Sequence, residues 1–446
     1  MLARRIARAV DARIGGARAG RSAVDKVFPD HFSFMFGEVA LYAFLTLVVT
    51  GVFLTLFFEP SQQEVVYTGQ YAPLDGRTMS GAYRSVIELS FDVRGGLVMR
   101  QIHHWAALVF LAAIVAHLGR IFFTGAFRKP REINWVVGVT LLLLALLNGF
   151  AGYSLLDDLL SGTGLRVAYS LMESVPVLGS WLALGAFGGE FPGHIIPRLF
   201  IVHVLIVPGA IVALLSVHLA VVWRQKHTQF PGPGRTEDNV VGSRMWPTYA
   251  TKSVSLFLAT FAVLAVLGGI FQINPVWLYG PYEPAAVTIA SQPDWYMGWA
   301  EGALRIFPPW EVRAFGYQIP NPFFPGVLLP GVTFLALYLY PFVERRLTND
   351  TSEHNLLDRP RDRPVRTAFG VAALTFYAVL SLGGSSDVLA RLFDLSVNGI
   401  IWTLRAVVLL LPPLAGLITW KVCHDLGHSS VTARLSRTAP GSPAGE

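Results

Sequence analysis

The sequence predicts an all-α, polytopic membrane protein with eight transmembrane helices, and three observations carry that prediction. Of its 446 residues, 53% are hydrophobic and 14% are charged, against about 25% charged in an ordinary soluble domain. Mean hydropathy is +0.50. Eight windows each hold the roughly 20 mostly apolar residues that a spanning helix needs. Finally, 25 of the 35 Lys and Arg fall on the side shared by the two termini. Together these exclude a disordered chain, a secreted disulfide scaffold and a typical cytosolic enzyme. The formal net charge of +6 sits in loops, so topology accounts for it without a nucleic-acid partner. The single cysteine, Cys423, cannot form an internal disulfide, and no CxxCH or CxxC motif offers a covalent haem, zinc or iron–sulfur site.

Residues 1–30 form a basic arm, with Arg4, Arg5, Arg8, Arg13, Arg18 and Arg21, and have no apolar core of a signal peptide. The expected spans are 39–58, 101–119, 133–156, 199–223, 253–278, 319–343, 367–386 and 395–420. Eight spans return the chain to its starting side, and the excess of Lys and Arg there places both termini in the cytoplasm. The other side carries three long loops, 59–99, 157–198 and 279–318, as candidates for function. The tail, 429–446, is small and polar and is expected to be disordered. The organisation is therefore an arm, a first four-helix domain (31–235), a second four-helix domain (236–428) and the tail.

Five histidines lie in the second and fourth spans: His103, His104, His117, His203 and His218. Ionisable groups in a membrane are costly and are functional candidates by default. His103 and His117 are 14 apart, which at about 100° per residue leaves them within about 40° of one face and about 21 Å apart along the axis. His203 and His218 are 15 apart, an offset of about 60°, and Pro208 between them provides a kink that can absorb it. Two helices thus offer an outer and an inner imidazole at matching depths. Imidazole is an axial ligand of haem iron, and two facing pairs make two sites, one above the other. A zinc site would need a third ligand at each level, and the sequence supplies none. Gly37 and Gly51 share the 14-residue interval, as do Gly138 and Gly152. Glycine lets another group approach the backbone closely, so this shared interval points to room for a flat macrocycle.

These residues together resemble the cytochrome b subunit of cytochrome bc complexes, the quinol–cytochrome c oxidoreductases. The resemblance rests on Gly37/Gly51, Arg100-Gln-Ile-His103, His117-Leu-Gly-Arg120, Gly138/Gly152-Tyr153, Arg198 five before His203, and Pro293-Asp294-Trp295-Tyr296. It implies a four-helix bundle enclosing two non-covalent b haems. His103 and His203 would hold the outer, low-potential haem, and His117 and His218 the inner, high-potential haem. Arg100 and Arg120 would meet haem propionates, a favourable charge-assisted contact, and His104 would stand beside the ligands without being one. The 15-residue spacing, Pro208 and Phe127-Arg-Lys-Pro-Arg-Glu132 look like the chloroplast-type b6 branch. Where that branch attaches a third haem to cysteine, this chain has Met35. The runs Gln225-Lys-His-Thr-Gln-Phe-Pro-Gly-Pro-Gly-Arg235 and His354-Asn-Leu-Leu-Asp-Arg-Pro-Arg361 look actinobacterial, which implies menaquinol and a supercomplex with a terminal oxidase.

The resemblance also implies an outer quinol-oxidising site at Pro293-Asp294-Trp295-Tyr296, where a carboxylate can accept a quinol proton. The competing reading of Asp294 is a helix N-cap. Glu301, seven residues on, is expected on the same helical face, as a second proton acceptor or a solvated acid. Tyr153 matches a quinol-site position, although Leu156-Asp157 departs from the family pattern. At the inner, quinone-reducing site the family's His and Asp positions read Trp223 and Ser253. Nearby Arg224, Lys226, His227 and Lys252 read first as topological charge. The implied enzyme oxidises quinol outside and reduces quinone inside in a Q cycle. Its partners would be a Rieske iron–sulfur subunit, a cytochrome c-type subunit and a second copy of itself. The alternatives are a di-haem anchor of a dehydrogenase with a single quinone site, and a transporter that uses membrane histidines for protons.

Overall fold

The computed structural model describes residues 11–12, 20, 22–286 and 292–438. Arg4, Arg5, Arg8, Arg13, Arg18 and Arg21 of the basic arm, and residues 439–446 of the tail, lie outside the described residues. The described chain is helical, with eight helices long and apolar enough to cross a membrane: Phe32–Thr55, Gly96–Phe123, Glu132–Ser154, Ile195–Gln225, Met245–Ile270, Phe324–Thr348, Pro364–Gly384 and Val397–Gly427. Many of their apolar side chains point away from the protein, including Val49, Leu205, Leu409 and Leu417. Such faces suit a hydrocarbon surrounding and not water.

The fifth span differs most from its expected bounds. It ends at Ile270, because Phe271 is extended and Asn274 has a φ of +49° just before Pro275. The last helix runs on to Thr438, ten residues into the segment expected to be without structure, where Ala, Leu and Arg are good helix formers.

The first span packs on the second, the third on the fourth, and the fifth on the first and second. The seventh and eighth spans pack on each other and on a short helix, Gly298–Ile306. Gly302 and Gly384 allow that close crossing: a Cβ on Gly302 would lie 1.6 Å from the Leu380 carbonyl oxygen, and one on Gly384 2.4 Å from that of Gly298.

The described parts of the loops opposite the terminal side form regular elements. A small hairpin pairs Glu64–Val66 with Thr78–Ser80 in antiparallel register. The helices Gly81–Phe91, Leu159–Glu173 and Gly179–Phe187 lie over that end. Tyr67, Tyr83, Ile87 and Val276 form a buried core there, and the Tyr83 hydroxyl donates to the Val276 carbonyl at 3.0 Å. On the terminal side, the three segments singled out as lineage marks interlock. Gln229 N–H donates to Asn355 O at 2.9 Å, His354 N–H to Lys129 O at 2.9 Å, and Asp358 N–H to Thr124 O at 2.9 Å. Arg366, buried, pairs with Glu344 at 2.7 Å and with Asp358 at 2.8 Å, and Arg128 joins Asp358 at 3.1 Å. Much of the basic charge on this side is therefore structural as well as topological.

Candidate functional site

The paired imidazoles meet inside the bundle of the first four spans. The ring centres of His103 and His203 are 6.2 Å apart, and those of His117 and His218 6.5 Å. Two imidazoles on opposite sides of one metal, each with a metal–nitrogen bond of about 2 Å and a nitrogen about 1.2 Å from its ring centre, would have centres about 6.4 Å apart. Both distances suit one metal ion held between the two rings. The hydrogen bonds of the outer pair fit as well. The Thr50 hydroxyl already donates to Thr46 O at 2.7 Å and lies 2.9 Å from His103 Nδ1. His203 Nδ1 is 3.0 Å from the carbonyl of Asn148, which can only accept. Both Nδ1 atoms are therefore the protonated nitrogens, which leaves each Nε2 lone pair for a metal.

The 15-residue interval is reconciled by a wide turn. Val202–Ile206 is a π-turn inside the fourth span. It accommodates one extra residue without advancing the helical phase, so His203 and His218 behave as a pair 14 apart. The offset is absorbed in this turn, just before Pro208.

Each glycine of the matched intervals backs one imidazole. A Cβ on Gly37 would lie 3.2 Å from His117, on Gly51 3.3 Å from His103, on Gly138 3.7 Å from His218 and on Gly152 2.3 Å from His203. The glycine–histidine match in the sequence thus has a direct steric cause. Arg100 and Arg120 lie beside the two levels with guanidinium nitrogens that are buried and have no hydrogen-bond partner, Nε and Nη2 in each case. Arg100 Nη1 donates to Asn274 O at 3.2 Å, and Arg120 stacks over the Phe34 ring at 4.2 Å. Unpaired buried guanidinium nitrogens are costly, and two propionate-bearing groups would satisfy them. Arg198, in contrast, donates to the carbonyls of Gly185 and Ala186 at 2.6 and 3.1 Å and serves the loop.

The outer pair opens into a cavity of about 290 Å³, which Gly152, Tyr153, His104, Asp294 and Tyr296 also line. Asp294 stands at the N-cap position of a short turn, yet its side chain makes no capping hydrogen bond. Instead it accepts from His104 Nε2 at 2.8 Å and from the Tyr296 hydroxyl at 3.0 Å. Burial and the neighbouring Asp294 hold the Tyr296 phenol well above its usual pKa, so it stays a donor. Gly149, which the sequence reading missed, admits the phenol: a Cβ there would lie 2.7 Å from its oxygen.

Glu301 is partly buried in an ion-pair network. Its carboxylate pairs with Arg305, which also reaches Asp387 at 2.9 Å, and burial raises its pKa against the pull of Arg305. It does not line the cavity. The departure at Leu156-Asp157 leads into a helix cap. Asp158 accepts from Ser161 N–H at 2.7 Å in a capping box, and full burial pushes its carboxyl up to about 6. On the terminal side, Lys252 is paired with Asp30 at 2.7 Å, and Phe28 stacks on Tyr249 at 4.1 Å and lies 6.1 Å from Trp223. His227, 4.6 Å from Phe28, is held neutral by burial, which lowers its pKa to about 4.

A family model described as Cytochrome b(N-terminal)/b6/petB matches residues 108–281. The cytochrome bc1 complex cytochrome b subunit of Mycobacterium tuberculosis (strain ATCC 25618 / H37Rv) is 54% identical over 422 residues, covering 94% of this chain and 77% of its own. That of Streptomyces coelicolor (strain ATCC BAA-471 / A3(2) / M145) is 49% identical over 423 residues, covering 95% and 78%. A chain of a solved hyperthermophilic respiratory Complex III has the same fold, with a TM-score of 0.66 at 22% identity, covering 92% of this chain and 99% of its own. The chain belongs to the family of cytochrome b subunits of the cytochrome bc1 complex, whose cofactor is b-type haem.

Proposed function

We propose that this chain, the catalytic membrane subunit of a quinol–cytochrome c oxidoreductase, oxidises menaquinol at the cavity beside His103 and His203 and reduces quinone near His117 and His218. The observation that carries this is the stack of two imidazole pairs, one of which opens into the same cavity as the His104–Asp294–Tyr296 cluster. The cavity faces outward and the termini are cytoplasmic, as the distribution of Lys and Arg favours. His103, His203, His117 and His218 bind two b haems, and Arg100 and Arg120 neutralise their propionates. Haems held there would supply one-electron carriers at two depths, and a Rieske iron–sulfur partner would take the other electron of each quinol. Asp294 takes a quinol proton, held in place by His104 and Tyr296, and Tyr153 shapes the cavity wall. Proton release outside and uptake inside contribute to the transmembrane gradient. A cytochrome c-type subunit, a second copy of the chain and a terminal oxidase complete the assembly.

Pyridine-haemochrome analysis of the purified complex tests the cofactor content. Two extractable b haems per chain are expected; one haem, or a covalently retained one, overturns the ligand assignment. Quinol oxidation that proceeds without an iron–sulfur partner would favour the dehydrogenase anchor.

The glycines give a graded test. Gly152→Ala must push the His203 ring aside, because a Cβ would lie 2.3 Å from it, and should cost the outer haem. Gly138→Ala makes only ordinary contact at 3.7 Å and should keep both haems. The visible spectra of the two purified variants check this, and equal haem content in both would contradict it.

A further inference from the structure

The first span carries an acidic side chain, Glu38, one residue past the glycine that backs His117. Three hydroxyls converge on its carboxylate: Tyr249 at 2.5 Å, Ser253 Oγ at 2.9 Å and Tyr42 at 3.2 Å. Tyr42 and Ser253 also bond each other. A carboxylate inside a span is expensive and marks a functional candidate, and hydroxyls, which both donate and accept, are the side chains that can pass a proton on. A second polar group adjoins it in the chain, nearer the surface. Lys252, next to Ser253, pairs with Asp30 at 2.7 Å. Ser243 Oγ donates to Asp30 at 2.7 Å and lies 3.1 Å from Lys252 Nζ. Lys252 and Asp30 are about half exposed. Of the two arginines on the packed second span, Arg120 is on this side, stacked over Phe34 one turn before Glu38, and Arg100 is at the opposite end of that span.

The geometry points to Glu38 as the carboxyl group that delivers protons to quinone at the inner site, reloaded from the cytoplasm past Lys252 and Asp30. This rests on the inner quinone-reducing site proposed above. A quinone accepts two electrons, which arrive singly across the membrane, and two protons, one on each oxygen. For a delivered proton, the carboxyl O–H of Glu38 breaks as the quinone O–H forms. The resulting carboxylate then takes a proton from the aqueous phase.

Rapid mixing of the intact, haem-replete complex with a reduced naphthoquinone, followed at the inner-haem band, tests this. In the unsubstituted complex the band is first reduced through the outer site and then reoxidised by quinone. Glu38→Gln should leave the first phase intact and slow reoxidation about 10²-fold, so that reduced inner haem accumulates. Glu38→Asp should recover most of the rate. Reoxidation within twofold of the unsubstituted rate in Glu38→Gln overturns the role of Glu38. An unsubstituted complex without quinone-linked reoxidation instead overturns the inner-site reading, and the proposal with it. If Glu38→Gln does not assemble, redox-difference infrared spectra decide: a carboxyl band should be present in the unsubstituted complex and shifted in Glu38→Asp. A missing or identical band overturns the proposal.

Discussion

His103→Ala should remove the outer haem and reduce quinol oxidation to background, with the inner haem spectrally intact. A ligand lost from that level would have no substitute among the described residues, because the ring facing it across the bundle is that of His203, with ring centres 6.2 Å apart, and the backing position is the glycine Gly51. His218→Ala should have the mirror effect, with loss of the inner haem and of quinone reduction. His104→Ala is the internal control. It is adjacent in sequence to His103, but its ring is directed at Asp294, so both haems should be retained and only the rate of quinol oxidation should fall. Redox-resolved visible spectra of the purified complexes measure all three. A His103→Ala complex with both haem bands intact contradicts the pairing.

Asp294→Asn should slow quinol oxidation by about 10²–10⁴-fold, the usual worth of a positioned proton acceptor, with both haem spectra and assembly unchanged. Asparagine has nearly the same size and can still accept from Tyr296, but it cannot take up a proton. The structure sharpens this test. A residue acting as a cap would be well replaced by Asn, and here the side chain caps nothing. Near-normal turnover in an assembled Asp294→Asn complex would leave Asp294 without a proton role. Glu301→Gln should cost much less in rate, since its partner is Arg305 and not the cavity. The double variant should then turn over like Asp294→Asn alone. A further large loss in the double variant would show that Glu301 shares the proton.

The spans and the histidine pairs were legible because both follow from local rules. A membrane demands about 20 apolar residues per crossing, and an α-helix places residues 14 apart on nearly one face. The glycines at the same interval were legible for the same reason, although the sequence pointed to room for a macrocycle and the structure shows them backing the imidazoles themselves. Span ends were less legible where proline or an extended residue cut the helix, as at Phe271.

What the sequence by itself determined is the all-α membrane class, the eight crossings and four matched imidazoles, since each depends on residues within one helix. Tertiary structure alone decided the rest. The π-turn at Val202–Ile206 set the fourth span in phase with the second. The packing of the second span against the Pro293-Asp294-Trp295-Tyr296 segment brought His104 to Asp294 across 190 residues, and made a cap position into part of a cavity. Arg305, itself shared with Asp387, became the partner of Glu301. The fifth span brought Tyr249 and Ser253 to Glu38. The last three share a physical reason: a polar side chain in a low-dielectric interior must find a partner, and which partner it finds depends on which helices pack together, not on spacing along any one of them.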